Sequence, residues 1–214
     1  MPFQLFLQNP ALFLAWIAAI IIGITVHEFS HVFAAYLQGD STGKDMGRLN
    51  LNPLSHIDPL GIALLVFVGF GWGKPAPFNP YNLRNPKLGS VLVAFAGPIS
   101  NLIVVAVLGL VFHFVLPLFD LEATNLLVIF VIFLIQINLV LMAFNLLPFP
   151  PLDGSRLVTT LIPDKYVAFK MAFERYSPML LFILLFSQII LGTSFLSGLF
   201  NWVNNVAERI LMWQ

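Results

Sequence analysis

Cysteine is absent from all 214 residues. That excludes a disulfide framework, a cysteine-held iron–sulfur cluster, a cysteine nucleophile and every cysteine-based zinc site. Any metal centre must be assembled from His, Asp, Glu and water. Charge is scarce as well: 9% of residues are Asp, Glu, Lys or Arg, against about 25% in an ordinary soluble domain. Ten acidic residues cancel ten basic ones, which excludes a strongly basic nucleic-acid binder and an acidic tail. No repeat of about 20–50 residues and no low-complexity tract is visible. Met1 to Pro10 contain no Lys or Arg, and no short apolar core leads to a small-residue cleavage site. A removable signal peptide is therefore not expected.

Apolar residues fill the space these absences leave. They make up 59% of the chain, more than a core alone can use, so lipid must cover the remainder. A first span is expected from Leu12 to Leu37, interrupted at His27 and Glu28. Leu88 to Phe119 carries no Asp, Glu, Lys or Arg over 32 residues; about 20 suffice to cross the hydrocarbon, so this segment must tilt, kink or extend past it. Asn125 to Phe149 and Ser177 to Val203 supply two further charge-free stretches. Leu60 to Gly73 is apolar but only 14 residues long, with glycines at 61, 69, 71 and 73. It reads as re-entrant, and Gly47 to Asn52 as a short strand. The expected fold is an all-α membrane protein, a multi-pass bundle with about four full spans, a short re-entrant segment and a small β element. One domain covers 1–214, with a core at 12–156 and an additional C-terminal span at 177–203.

Basic residues set the expected orientation. Lys44, Arg48, Lys74, Arg84 and Lys87 flank the short segment, and Arg156, Lys165, Lys170 and Arg175 lie between the last two spans, whereas the loop around Pro117 to Thr124 holds only Asp120 and Glu122. The positive-inside rule places the basic loops in the cytoplasm and the acidic loop outside. The chain is expected in the cell membrane.

Polar groups at membrane depth carry the chemistry. The first span contains His27-Glu28-Phe29-Ser30-His31. Histidines at i and i+4 lie about 40° apart around a helix axis, so both can face one metal ion, and Glu28, about 100° from His27, can reach water at that metal. Four His and four Glu exist in the chain, and three of those eight residues stand together here. An acidic side chain at mid-membrane costs on the order of 3 kcal/mol without a partner, which argues against accident. A third ligand is sought in Asn145-Leu-Leu-Pro-Phe-Pro-Pro-Leu-Asp153-Gly154. Three prolines break the helix, and backbone freed in this way is tolerated only against protein or a wet cavity. Asp153 can complete the site; its alternative is a carboxylate paired with Arg156. Asn145 either holds an oxyanion or the substrate backbone, or caps the chain freed by Pro148. His56, His113, Gln136, Asn138 and Gln188 read as loop structure or interhelical polar contacts.

These motifs resemble the site-2 protease family of intramembrane zinc metalloproteases, in its compact prokaryotic branch. His27 to His31 match the first motif, Asn145 to Gly154 the second, and Ala96-Gly97-Pro98-Ile99-Ser100-Asn101 the Gly-Pro-x-x-Asn element between them. Leu49 to Gly61 and Pro77 to Pro86 look like the same branch. The resemblance covers about Ile21 to Arg156. It implies one Zn²⁺ held by His27, His31 and Asp153, with Glu28 activating water for peptide hydrolysis in transmembrane substrates near the cytosolic face. It also places Asn101 near the site, as a second candidate for oxyanion or substrate contact beside Asn145. Two nitrogen ligands, one oxygen ligand and an open position suit zinc, though similar sites accept cobalt or manganese. From His31 to Gln38 is roughly 10 Å of helix, which sets the site below the membrane surface. A substrate helix must unwind to be cut, and an extended segment can then pair with Gly47 to Asn52 or Leu60 to Gly73. A cation transporter would need further polar sites along one path, and none is seen. Lipid and transmembrane proteins are the expected partners; nucleic acid is not.

Overall fold

A computed structural model describes residues 2–191 and 196–212. Three of its long helices begin where asparagine meets a helix start. Asn9 accepts from the Leu12 amide, Asn85 from Leu88 and Asn125 from Leu127, and Pro10 and Pro86 occupy first positions whose N–H would have no partner in any case. Helix α1 (Pro2–Gln8) leads into α2 (Pro10–Leu37), which is followed by the short α3 (Thr42–Asp45), α4 (Pro59–Val68), α5 (Pro86–Leu110) and α6 (Leu126–Asn145). Beyond these lie α7 (Gly154–Leu161), α8 (Val167–Leu191) and α9 (Ser197–Leu211).

Helices α2, α5 and α6 pack on one another in all three pairings. Small residues let them approach, with Ala19 and Gly23 on α2 and Ala94 and Gly97 on α5 buried between them. A larger apolar layer joins Val105, Val128, Val131, Ile135 and Leu139 to Val203 and Ala207, so α9 closes one side of α6. His113 adds a hydrogen bond to the Ile210 carbonyl. Among the described residues three stretches are long and apolar enough to cross a membrane: Pro10–Leu37, Pro86–Phe119 and Leu126–Asn145. The excess length of the second is absorbed by a change of winding. After Leu110 the helix loosens into a π-helical turn at Val111–Val115, tightens into a 3₁₀ turn at Leu116–Phe119 and stops at Asp120 with φ of 48°.

The expected C-terminal span at 177–203 crosses residues 192–195, which lie outside the described residues. Helix α8 starts earlier than expected, at Val167, with Pro178 inside it. Lack of charge marks lipid, not helix limits, and Lys170, Glu174 and Arg175 are good helix formers.

The short apolar segment folds back on itself. Asp58 caps α4 by accepting from the Leu60 and Gly61 amides, and Gly69 ends it at φ of 86°. The chain then returns until Gly73 forms an antiparallel bridge with Ile57 and the Lys74 amide donates to the His56 carbonyl at 2.8 Å. Gly61 makes that return possible, because a Cβ there would overlap the Trp72 carbonyl. Gly61→Ala is expected to destabilise the fold by about 1–3 kcal/mol through overpacking, read as a lower unfolding midpoint in detergent; an unchanged midpoint would contradict the close approach.

No strand forms over Gly47–Asn52, contrary to expectation. Gly47 turns the chain at φ of 69°, and Asn50 takes local backbone groups, donating to the Gly47 carbonyl and accepting from the Asn52 amide. Such side-chain bonds compete with sheet pairing. Nearby, Asp40 is buried and accepts from Thr42, Asn79 and Asn82, tying two loops to the end of α2. Burial would raise its carboxyl, but those bonds together outweigh burial and hold it below the usual carboxylate range.

Candidate metal centre

His27 and His31 project from successive turns of α2 and are buried. The chain beyond α6 brings Asp153 to them. Pro148, Pro150 and Pro151 prevent helix from continuing, and Gly154 lets the turn close on the end of α6, since a Cβ there would overlap the Leu146 and Leu147 carbonyls. Asp153 Oδ2 consequently lies 3.1 Å from His27 Nε2 and 3.3 Å from His31 Nε2, and the two imidazole nitrogens are 3.1 Å apart. Arg156, the alternative partner for Asp153, instead places its guanidinium 5.9 Å from the centre of the Phe78 ring.

The outer ring nitrogens decide what the inner ones present. His31 Nδ1 is 2.7 Å from the Val93 carbonyl, which can only accept, so Nδ1 carries hydrogen. His27 Nδ1 is 2.6 Å from Asn101 Oδ1 and donates likewise. In the neutral rings both Nε2 atoms therefore offer lone pairs, as does Asp153 Oδ2, which is buried without a hydrogen-bond partner. Three converging lone pairs repel unless a cation lies among them. Zinc bonds of about 2.0–2.1 Å to such ligands give a tetrahedral edge of about 3.3 Å. The observed separations fit that edge, so His27, His31 and Asp153 form a cluster able to coordinate a metal ion.

Gly97 of α5 forms a wall of the cluster. A Cβ on it would stand 2.5 Å from His31 Nε2 and 2.6 Å from His27 Cε1. Glu28 lies outside the three-ligand group and is half-buried, facing the returning segment: a Cβ on Gly73 would be 3.6 Å from its Oε1. Buried Arg48 donates to the Lys74 carbonyl at 2.7 Å and interacts electrostatically with Glu28.

The two asparagines part company. Asn101 is fully buried behind His27, its Oδ1 on the ring and its Nδ2 donating to Asn138 Oδ1 at 2.8 Å. It supports a ligand from the side away from the metal position. Asn145 ends α6 and donates to the Leu141 carbonyl at 2.9 Å, outside the ligand group. His56 is buried in the loop, bonded to the Asn50 carbonyl. Sequence reading missed the closeness of Gly97 and the Arg48 contact to Lys74. Asn138 makes the interhelical polar contact expected of it, with Asn101 as its partner; an amide deep in an otherwise apolar helix needs one.

Comparison with known proteins places similar chains among zinc metalloproteases. The model for peptidase family M50 matches residues 113–191, a region that holds Asp153 and begins after the two histidines. YwhC of Bacillus subtilis (strain 168), named as a candidate zinc metalloprotease, is 42% identical over 175 residues, covering 79% of this chain and 78% of that protein. Rip2 of Mycolicibacterium smegmatis, similarly named, is 32% identical over 154 residues, or 69% of this chain and 57% of its own length. Rip2 of Mycobacterium tuberculosis (strain H37Rv) is 32% identical over 152 residues. No solved structure matches the chain.

Proposed function

The chain belongs to peptidase family M50, the site-2 protease family of metalloendopeptidases, and we propose that it cuts peptide bonds within transmembrane segments of other membrane proteins, using one zinc ion. The observation that carries this reading is the convergence of His27 Nε2, His31 Nε2 and Asp153 Oδ2 inside a bundle of membrane-length helices. These three residues hold the ion. When bound, zinc supplies Lewis acidity, making water nucleophilic near neutral pH and polarising a carbonyl.

Glu28 acts beside the ligands as the proton carrier. It takes a proton from the attacking water and delivers it to the leaving amine. Arg48 holds the Lys74 carbonyl, and with it the returning segment that runs beside Glu28. A substrate unwound to an extended chain would lie along this segment, with Asn145 available at the end of α6 to contact its backbone. The fold-back of residues 59–73 supports a re-entrant hairpin with both ends on one face. Four spans, one domain over 1–214 and cytoplasmic basic loops complete the reading, which puts the cut near the cytosolic side of the cell membrane.

The purified chain is expected to carry one zinc per molecule and to cleave a transmembrane reporter. Chelation should abolish cleavage and zinc should restore it. Asp153→Asn, which replaces one ligand oxygen's charge, is expected to weaken zinc binding at least about 10-fold, by comparison with losses seen on perturbing even outer partners of metal ligands. A metal-free parent chain that cuts the reporter at full rate would refute the proposal.

A further inference from the structure

His27 donates from Nδ1 only while Asn101 turns its carbonyl oxygen toward the ring. A carboxamide is nearly symmetric in shape and can be turned end for end. In the reversed orientation the Asn101 amino group would face His27 Nδ1. The ring would then carry its hydrogen on Nε2, pointing at the metal position in place of a lone pair. Something must therefore fix the Asn101 amide.

Asn138 supplies that constraint. Its Nδ2 donates to the Leu134 carbonyl at 2.8 Å, and a carbonyl can only accept. This leaves Asn138 Oδ1 pointing the other way, where it accepts from Asn101 Nδ2 at 2.8 Å. Asn101 Oδ1 is thereby directed at His27 Nδ1, 2.6 Å away. Asn101 and Asn138 are both fully buried, so bulk water does not reach in to redirect the chain of bonds. The Gly23 carbonyl also accepts from Asn101 Nδ2, but at 3.4 Å, which makes it the weaker anchor. We propose that Asn138 is a positioning residue which, through Asn101, fixes the His27 tautomer that offers Nε2 to the metal. The proposal deepens the zinc-site reading and rests on it. Directionality runs from a backbone carbonyl of α6, through one side chain each of α6 and α5, to a ligand on α2.

The test is zinc affinity of the full-length chain in detergent, measured by competition with a chromophoric chelator. Asn138→Leu, with Asn138→Ala as a second disruptive variant, is expected to bind zinc about 10–100-fold more weakly, the usual range for loss of an outer partner of a metal ligand. Asn138→Asp should remain within a few-fold of the parent, because a buried neutral carboxyl can donate to Leu134 and accept from Asn101. The double variant Asn101→Leu/Asn138→Leu should bind no more weakly than Asn101→Leu alone, since both act through one chain of bonds. Parent-like affinity in Asn138→Leu, with only a lower unfolding midpoint, would identify simple helix packing and overturn the proposal. Equal losses in the Leu and Asp variants, or additive losses in the double variant, would overturn it too. Zinc bound stoichiometrically by the parent keeps these outcomes separate from failure of the metal reading; a parent that binds none removes both.

Discussion

Glu28→Gln is expected to lower the rate of peptide cleavage by at least about 10²–10⁴-fold, the range that a positioned proton carrier contributes, while zinc content stays at the parent level. Glutamine keeps the shape and half-buried position of Glu28 but has no basic oxygen with which to accept a proton. Because Glu28 lies outside the group formed by His27, His31 and Asp153, replacing it leaves the three candidate ligands in place. The paired measurement is decisive: cleavage of a transmembrane reporter in vesicles, and zinc per chain in the same preparation. A ligand role for Glu28 predicts that both fall together. A transport role predicts that ion flux persists. Cleavage by the variant at the parent rate would remove the proton-transfer assignment.

Much of this site is legible in the sequence because its parts violate the surrounding pattern. His27, Glu28 and His31 are conspicuous in a helix with no other histidine, acidic or basic residue, and their helical spacing already defines a common face. The prolines before Asp153 announce that the helix ends there. What periodicity cannot show is long-range placement. Nothing local to Gly97 reveals that two imidazoles lie against it, and nothing local to Asn138 says which amide it meets across the bundle. The expected strand at Gly47–Asn52 failed for a different reason: Asn50 captures backbone groups on both sides of itself, a local competition that apolar alternation does not register. Helix α8 begins at Val167, ahead of the charge-free stretch from Ser177, because Lys170, Glu174 and Arg175 favour helix as readily as apolar residues do, so lack of charge does not mark where a helix starts.

The close contact at Gly97 leads to the second large effect. Gly97→Ala is expected to weaken zinc binding by about 10–100-fold or more, the range for disturbed ligand placement, and to reduce cleavage at limiting zinc in parallel. The added methyl carbon would lie 2.5–2.6 Å from atoms of both imidazoles, about an ångström inside ordinary contact of roughly 3.5 Å. Flexible surface side chains could swing away from such an intrusion. These rings are held from behind, His31 by the Val93 carbonyl and His27 by Asn101, so retreat breaks the bonds that orient their Nε2 atoms. The alternative is for α5 to move off α2, which opens the small-residue contact that joins the bundle. Either response displaces ligands before it unfolds helices, since the clash is confined to the metal face. Helical content measured by circular dichroism should therefore stay near the parent value while zinc affinity falls. A Gly97→Ala chain that binds zinc as tightly as the parent would show that the imidazoles do not occupy these positions when the ion is bound.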